Sequence, residues 1–576
     1  MASHHNHRRG PDPTSPRRRF TISLTPPPTP TTTTRRSLAA PPITPSPIPS
    51  HHPPPQTSRP PPPANPFNNL PLETTQAIAT FIETDSDLCA FRATCRSTLD
   101  AVEADGASFW RRRWAGCFER PASDVSSSGG GGSGSSFTRG SDSTSSSRWN
   151  GPAGNARFKE EYQKRRLVLK NGAEFMEGGG EREKVCLEVL RDLVADSFST
   201  KTASNALTYE SSNLAFLQRF AVANFSLLEL FTPNLKRPYR SSTRRRSTTP
   251  PASTSKRLMQ TIQVLLAPMH LNPDPMYEFS HYNFLDSQAA VYSTATVHPI
   301  FGGCYGVEID MEYVLHNLNF WKYHMLRQAE GTLNEPYCDL DEDERPRWWD
   351  HALSQDTTQK LWKNWKGSYA FVERDEIDTL RGGRDYNQQI QDIFAGEDGS
   401  DGAFQSLTLE LAPDDGEFVW PMLFEQHLKS LVPPEGRART RAQRRSAKPD
   451  EAAQMRTRGF HVQDRHFEGE GKDVSEKFLA SGWLNALPVQ EGVPGWQRLT
   501  MMKYFEDENG NVDMQGLWAY EGVVLPGGGI IVGRWWSPSD EAEEDVYSGP
   551  FILWCVDGAK NAEVGEGEET NGDEEC

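Results

Sequence analysis

The sequence has no apolar run that approaches the length of about 20 residues needed to span a lipid bilayer. The first residues, MASHHNHRRG, also lack the apolar segment of a secretory signal peptide. Hydrophobic residues make up only 36% of the 576 residues, whereas proline and glycine are abundant, with 43 and 45 copies. We therefore expect a protein of the cytoplasm, the nucleus or both, without a membrane partner, in which folded parts alternate with segments that bury little.

The chain has fewer basic than acidic residues. It contains 61 Lys and Arg residues and 78 Asp and Glu residues, which give a formal net charge of -17. A protein that binds nucleic acid generally needs a basic face to neutralise phosphates. The composition therefore argues against nucleic acid as a partner. The charge is unevenly distributed, because the first 66 residues carry eight Arg against one Asp, whereas the last residues, AKNAEVGEGEETNGDEEC, are strongly acidic.

Motifs of catalysis and of metal binding are also lacking. The eight cysteines contain no CxxC pair and have no regular spacing, which favours a reducing compartment over a disulfide framework or a zinc site. No HExxH, GxSxG or Walker pattern occurs. His316 and His324 lie eight residues apart on a predicted helix, where structural histidines are commoner than metal ligands. We expect no catalytic residue, no metal and no cofactor, although residues far apart in sequence could still converge into an active site.

Composition and periodicity predict an α+β multi-domain protein with long disordered segments. After residues 69–113, helical spacing returns in 156–169 and in 184–198, and a half rich in β-branched and aromatic residues follows from about residue 285. In 184–198 one apolar stripe is predicted, formed by Val185, Leu187, Val189, Leu190, Leu193 and Val194. The predicted divisions are a disordered Pro/Ser/Thr/Arg-rich arm at 1–64, a small helical domain at 65–120, a disordered Gly/Ser linker at 121–155, a helical region at 156–284 with a disordered loop near 236–256, a β-rich domain at 285–557 with a disordered insertion near 433–458, and an acidic disordered tail at 558–576.

Short segments of the C-terminal half predict antiparallel strands separated by Gly, Pro and Asp turns. The clearest is the hairpin LWAYEGVVLPGGGIIVGRWW, in which Pro526 opens a turn and Gly527, Gly528 and Gly529 permit positive φ. This glycine run is not a phosphate loop, since a strand follows it and no Lys-Ser/Thr does. The other predicted strands are AAVYSTATV, GCYGVEI, WKGSYAFVE, FQSLTLELA, RLTMMKYFE and PFILWCV.

Residues 69–113 predict two or three short helices between two polar segments. Ile78, Phe81 and Ile82 recur at helical spacing, and Leu88 and Phe91 recur on a second helix. About fifty residues arranged in this way bury only a small core, which is marginal for stability. Unless it packs on the later domain, such a unit is expected to bury its remaining apolar surface against another protein.

The order and spacing of these residues resemble an F-box. The matching residues are Leu70, Pro71, Glu73, Ile78, Phe81, Ile82, Asp87, Leu88, Arg92, Cys95, Arg96, Leu99, Phe109 and Trp110. The sequence departs from the F-box pattern at Thr94-Cys95, where Val-Ser or Val-Cys is commoner, and at Leu99, where Trp is frequent. The resemblance implies a small three-helix F-box followed by a helical linker region.

An F-box binds the adaptor Skp1, which joins it to a cullin scaffold and through that scaffold to a ubiquitin-conjugating enzyme. By this resemblance we expect an adaptor-facing set of seven residues, although most of them could instead pack inside the helical unit. They are Leu70, Pro71, Ile78, Phe81, Ile82, Leu88 and Phe91.

The segment 518–556 looks like the end of the β-barrel-like region of many fungal F-box proteins and, more distantly, of the cyclin D-binding F-box receptors of animals. The likeness implies a barrel that recognises a short peptide or a chain terminus. Aromatic walls with one cation suit such a ligand, and Arg534 in an apolar strand needs a partner, although strand aromatics are more often core. The candidate substrate-binding residues are Trp518, Tyr520, Arg534, Trp536 and Trp554.

These resemblances together predict a non-catalytic substrate-recognition subunit of a Skp1-cullin-F-box ubiquitin ligase. The F-box would bind Skp1, and the C-terminal barrel-like domain would recruit a protein substrate whose identity the sequence does not give. The alternative is a Skp1-bound scaffold, or a ligand-binding barrel protein, without ligase activity.

Overall fold

The structure is a computed structural model, and the residues it describes all belong to the unit Asn65–Cys576. They are residues 65–103, 109–119, 152–177, 180–197, 211–224, 227, 254–274, 284–303, 306–328, 331–347, 361–382, 404–412, 422–428, 464–473, 476–507, 510–514, 516–538 and 546–556. The predicted disordered segments at 1–64, 433–458 and 558–576 lie outside the described residues, as do 121–151 and 236–253.

The C-terminal half forms a closed barrel of eight antiparallel strands. Each strand pairs with the next one along the chain, and the last strand closes the barrel on the first, with Phe551 opposite Tyr369. A small antiparallel pair, β1 (Phe301–Gly302) and β2 (Glu308–Ile309), precedes it. The barrel strands are β3 (Asn364–Tyr369), β4 (Gln405–Leu411), β5 (Asp464–Lys472), β6 (Lys477–Ala486), β7 (Gln497–Tyr504), β8 (Trp518–Val524), β9 (Ile530–Trp536) and β10 (Ser548–Cys555).

The predicted glycine hairpin joins β8 to β9 and is confirmed. Gly527 and Gly528 have φ values of 94° and 70°, a region that side chains with a Cβ rarely adopt. Val524 pairs with Ile531 across the turn, so both strands keep the alternation that the sequence shows. On each strand one set of alternate residues fills the barrel interior, and the other set faces outward.

Two glycines opposite each other make room for a large ring inside the barrel. Gly522 pairs with Gly533, and the buried Phe551 lies against both. A Cβ added at Gly533 would lie 2.1 Å from the carbonyl oxygen of Glu521 and 2.6 Å from Cε1 of Phe551. Because the nearest atom belongs to the backbone, a side chain at this position has to push two strands apart.

Gly533→Ala is therefore expected to destabilise the barrel by about 1–3 kcal/mol, the usual cost of overpacking a core. Urea unfolding followed by tryptophan fluorescence measures the change. Gly529→Ala is the matched control, because the nearest atom to its added Cβ is Sγ of Cys555 at 4.0 Å. Equal stability of the two variants would contradict the packing argument.

The helices are numbered here in chain order. They are α1 (Leu72–Thr80), α2 (Asp85–Arg92), α3 (Arg96–Glu103), α4 (Phe109–Ala115), α5 (Pro152–Lys170), α6 (Gly172–Glu177), α7 (Gly180–Ser197), α8 (Ser212–Ala223), α9 (Thr254–Leu265), α10 (Ala267–His270), α11 (Phe284–Val291), α12 (Met311–Leu326), α13 (Asn334–Cys338), α14 (Arg374–Gly382) and α15 (Met422–His427), with 3-10 turns at Pro66–Asn69 and Glu342–Glu344.

One continuous apolar core joins the helices to the outer face of the barrel. It runs from Ala79 in α1 to Val532 and Trp554 on β9 and β10. Helix α12 lies on this face, where Asn317 Nδ2 donates a hydrogen bond of 2.7 Å to the carbonyl oxygen of Gly533. The predicted apolar stripe on 184–198 is also confirmed, because α7 buries Leu187, Val189, Leu190, Leu193 and Val194. The helical part thus buries one side of the barrel.

The small helical unit, residues 65–119, packs on α5 rather than on the strands. The indole of Trp110 lies 5.7 Å from the ring of Tyr162, and Trp114 lies 5.8 Å from Phe158. Arg113 is buried, and its guanidinium donates to the carbonyl oxygens of Ile82 and Glu83. Trp110 and Trp114 of the small helical unit therefore pack against aromatic residues of the same polypeptide chain.

The observed helices and the antiparallel barrel confirm the predicted α+β class and the barrel-like C-terminal half, whereas the F-box assignment stays a prediction.

The segment AAVYSTATV was predicted as a strand, but Ala289–Val291 belong to helix α11. Helix α11 packs against α12, so its apolar residues form the buried face of a helix instead of the buried face of a sheet. Strand β5, DRHFEGEGK, was not predicted because its charged and glycine residues give no apolar alternation.

Among the described helices, none combines the length and the apolar character that crossing a membrane requires.

Candidate functional site

A cavity of about 420 Å³ opens at one mouth of the barrel. Its wall is mostly aromatic, and most of these rings come from strands β3, β8 and β9 and from the residues next to them. The rings that matter for its shape are Tyr369, Phe505, Trp518, Tyr520, Trp535 and Tyr547. The volume is within the range of sites that hold a small molecule or one peptide side chain with its neighbours.

The rings form a box around the indole of Trp535. Trp518 lies 5.3 Å from it at 86°, Tyr547 lies 5.3 Å from it at 73°, and Tyr369 lies 6.3 Å from it at 84°. Trp535 is itself fixed, because its Nε1 donates a hydrogen bond of 3.0 Å to the carbonyl oxygen of Ala370. The hydroxyl of Tyr547 donates to the carbonyl oxygen of Val372 at 3.0 Å. The walls are therefore held before any ligand arrives.

Three charged side chains line the same cavity. Lys503 is buried and forms an ion pair with Asp473. The Lys503 ammonium also lies 4.2 Å from the ring centre of Phe478 and 4.9 Å from that of Tyr369, so its charge has favourable partners on several sides. Glu476 is exposed, and within the described part of the chain it forms no ion pair. Two carboxylates and one ammonium leave the cavity with a surplus negative charge.

The phenol of Tyr520 forms part of the cavity wall deep in the barrel. Burial raises the pKa of Tyr520 well above its ordinary value, and the nearby Tyr369 and Asp473 raise it further. Burial likewise raises the pKa of Tyr547, to about 12, with a contribution from Glu373. Both hydroxyls therefore stay protonated at any physiological pH and add no negative charge.

The structure separates the five predicted substrate-binding residues. Trp518 and Tyr520 line the cavity, because alternate residues of β8 point inward. Arg534 lies on the outer face, where its guanidinium donates to the carbonyl oxygen of His298 at 3.1 Å and lies 4.8 Å from the ring of Tyr313. Trp536 and Trp554 also point outward, and Trp554 Nε1 donates to the carbonyl oxygen of Glu344 at 2.7 Å. Thus Arg534, Trp536 and Trp554 do not reach the cavity.

Trp535 lines the cavity but was not among the five predicted residues, although strand alternation in the sequence could have identified it. Since Ile531 and Trp535 share the parity that faces the barrel interior, Arg534 and Trp536 must face outward. Trp518 and Trp535 are brought together by the β8–β9 register, in which Tyr520 pairs with Trp535. Lys503 comes to the cavity through the β7–β8 register, in which it pairs with Trp518, and Tyr547 comes through the pairing of β9 with β10. The contribution of Tyr369 depends on closure of β10 on β3, which no local signal predicts.

A second surface of interest lies on the small helical unit. Along its first helix and the turn before it, large apolar side chains stay open to solvent: Phe81 is 85% exposed, Leu72 43%, Leu70 38% and Ile78 37%. Pro71 is exposed as well. We call Leu70, Pro71, Leu72, Ile78 and Phe81 the exposed apolar set. Such a concentration on a unit of this size is unusual unless a partner covers it.

The other predicted adaptor-facing residues are less accessible. Leu88 is buried in the main core, and Ile82 and Phe91 are half-buried against it. The ring of Phe91 lies edge-on to Phe67 at 5.5 Å. Of the seven residues predicted from the resemblance, Leu70, Pro71, Ile78 and Phe81 are therefore open for contact, and Leu88 is not.

Asp85 links the small helical unit to α5. Its carboxylate accepts hydrogen bonds from Tyr162 at 2.9 Å and from Arg166 at 2.7 Å, and it lies 3.5 Å from Arg113. Burial opposes ionisation, but the hydrogen bonds of Arg166 and Tyr162 and the charges of Arg166 and Arg113 outweigh it and lower the pKa of Asp85. The ionised carboxylate is therefore the form that stabilises this contact.

The stability contributed by Asp85 should be complete above its ordinary pKa of 3.8 and should be lost as pH falls through the lower folded-state value. Asp85→Asn is expected to lower the free energy of unfolding by only about 1 kcal/mol at pH 6, since the carboxylate is 39% exposed. As pH falls through the lowered folded-state pKa, the difference between the variant and the wild type should disappear. Thermal unfolding at pH 6 and at a series of lower pH values measures this, and Asp100→Asn is the control, because Asp100 has only a distant pair with Arg96. A difference that persists at low pH would contradict the assignment.

The two histidines noted in the sequence are core residues of α12. Burial lowers the pKa of His316 to about 3 and that of His324 to about 3, so both are neutral at physiological pH. His316 Nδ1 forms a hydrogen bond of 3.1 Å with the hydroxyl of Ser287. Across the described ranges, no three His, Cys, Asp or Glu side chains are grouped as a metal site would require.

Comparisons of the chain with protein-family models, with curated proteins and with solved structures found no significant match.

Proposed function

We propose that this chain is the substrate-recognition subunit of a Skp1-cullin-F-box ubiquitin ligase, in which residues 65–119 bind Skp1 and the barrel recruits a protein substrate. The observation that carries the first half is the exposed apolar set on a unit that resembles an F-box in sequence. Its tryptophans are already packed on α5, so these exposed residues are the apolar surface left for a partner.

The barrel supports the second half of the proposal. Its mouth cavity is open, rigid and aromatic, and it lies on the barrel rather than on the helical unit that would bind the adaptor. A ligase receptor needs these two surfaces to be separate, because adaptor and substrate must bind at the same time. In this proposal the chain forms no bond itself, since ubiquitin transfer takes place on the associated conjugating enzyme.

The test is co-purification of the full-length chain with Skp1 and a cullin. Recovery of both, lost on the double substitution Leu70→Ala/Pro71→Ala, supports the ligase receptor. The full chain is required, because the helices and the barrel share one core and a truncation at residue 285 would expose it. Recovery of Skp1 without a cullin and without ubiquitylation would favour the alternative, a Skp1-bound scaffold. Failure to recover Skp1 with the folded wild-type chain would overturn both.

A further inference from the structure

The mouth of the barrel has the geometry of an aromatic cage. The rings of Trp518, Tyr547 and Tyr369 all stand nearly perpendicular to the indole of Trp535, at 86°, 73° and 84°. The face of an aromatic ring carries a negative electrostatic potential, so several rings that surround one space attract a cation placed there. The attraction is larger in a partly desolvated cavity than at an open surface.

The charges of the cavity favour the same sign of ligand. Among the described residues of the wall, the one ammonium is that of Lys503, which is already paired with Asp473, and the exposed carboxylate of Glu476 forms no ion pair. An anionic group, such as a free chain terminus, would have to compete with Asp473 for Lys503 and would be repelled by Glu476. A cation entering the cage meets surplus negative charge instead.

The hydrogen-bonding groups decide between kinds of cation. The indoles of Trp518 and Trp535 have no hydrogen-bond acceptor, and the carboxylate of Asp473 is already paired with Lys503, so the aromatic part of the cavity has few acceptors for an N–H donor. A guanidinium has five N–H donors and a primary ammonium has three, and all of them need acceptors when they leave water. A quaternary ammonium has none, and its bulk fits walls that are mostly apolar.

The ring of Tyr369 already has the Lys503 ammonium 4.9 Å from its centre, so the rings left for a ligand cation are those of Trp518, Trp535 and Tyr547. We propose that the barrel mouth binds a trimethylated lysine side chain, or a group of the same quaternary-ammonium chemistry, and that Trp518, Trp535 and Tyr547 form its cage. Glu476 at the rim adds long-range attraction. The inference that this group belongs to a protein substrate rests on the proposed function, whereas the binding itself does not depend on Skp1.

The experiment titrates the full-length chain with an amidated Gly/Ser peptide that carries one trimethyllysine, and follows binding by calorimetry. The control peptide carries the neutral tert-butyl isostere, in which carbon replaces the charged nitrogen. The charged peptide is expected to bind at least tenfold more tightly, because size and shape are the same and only the cation differs. Equal affinity for the two peptides would overturn the proposal.

Two substitutions locate the site. Tyr547→Leu removes one wall of the cage and is expected to weaken binding of the trimethyllysine peptide at least tenfold. Glu476→Lys is expected to weaken it severalfold, and this exposed position tolerates the change even if a cage variant fails to fold. Trp536→Leu is the matched control on the outer face of β9 and should leave the affinity unchanged. Binding that survives both Tyr547→Leu and Glu476→Lys would place the ligand elsewhere and overturn the proposal.

A third arm tests the opposite charge. A peptide of the same length with a free C-terminal carboxylate is expected not to bind. Tighter binding of this peptide than of the trimethyllysine peptide, lost on Lys503→Met, would overturn the cationic assignment. It would leave the adaptor proposal intact, because recovery of Skp1 is measured independently of either peptide.

Discussion

Phe81→Asp is expected to reduce the affinity of the full-length chain for Skp1 by about 30- to 1,000-fold, which corresponds to about 2–4 kcal/mol, the range of a central aromatic contact. The Phe81 side chain is 85% exposed, so it contributes little to the packing of the folded protein. In the proposed complex the ring would be buried, and a carboxylate in its place would be desolvated without a partner. Surface plasmon resonance with immobilised Skp1 measures the loss.

The same substitution should leave the fold almost unchanged. Replacing a side chain that lies in water normally alters the free energy of unfolding by less than about 0.5 kcal/mol. Val489→Asp is the matched control, because Val489 is an apolar residue that is 52% exposed and lies outside the small helical unit. Phe81→Asp with wild-type affinity, or an equal loss with Val489→Asp, would show that the exposed apolar set does not bind the adaptor.

Asp196→Asn is expected to destabilise the helical part of the protein by about 3–5 kcal/mol, the usual cost of removing one partner of a buried ion pair. The Arg165 guanidinium lies 2.6 Å from the Asp196 carboxylate, and the two side chains are only 4% and 7% exposed. Arg165 also stacks on Trp114, 4.3 Å from its ring centre, and so connects α4, α5 and α7. An unpaired guanidinium at this position could not reach water.

A double variant separates the cost of the unpaired charge from the value of the pair. Arg165→Met/Asp196→Leu removes both charges and keeps the apolar volume, so it should be less destabilising than Asp196→Asn alone. Urea unfolding gives the free energies, and the fluorescence of Trp114 reports on the same contact. A double variant that is as unstable as the single one would mean that the pair itself, rather than its desolvation, holds these helices together.

The two proposals concern different parts of the molecule and can fail separately. Adaptor binding depends on α1 and the turn before it, and recognition of a quaternary ammonium depends on the barrel mouth. The shared core between helices and barrel gives the chain a continuous packed path from one surface to the other. In a ligase receptor this packing would hold the substrate in a defined position relative to the adaptor.

Sequence reasoning was most successful where local chemistry decides the structure. The hairpin at Gly527 and Gly528 and the stripe on α7 both follow from spacing and turn residues. It was less successful at AAVYSTATV, because Ala289–Val291 end a helix that packs against α12 and the following residues form a turn. It also missed β5, which pairs along its whole length with β6 despite its charges.

By itself the sequence determined the α+β class, the β-rich half, the glycine hairpin and the apolar pattern of residues 69–113, because hydrophobic period and turn chemistry are local properties. The barrel-like form was implied by the resemblance of residues 518–556 alone. Only the tertiary structure decided which aromatics meet. Closure of β10 on β3 brings Tyr369 to Trp535, the pairing of β9 with β10 brings Tyr547 there, and packing of α12 gives Arg534 its partners at Tyr313 and His298. These contacts join residues that are far apart in the chain, and the direction of each side chain depends on strand parity within the closed barrel.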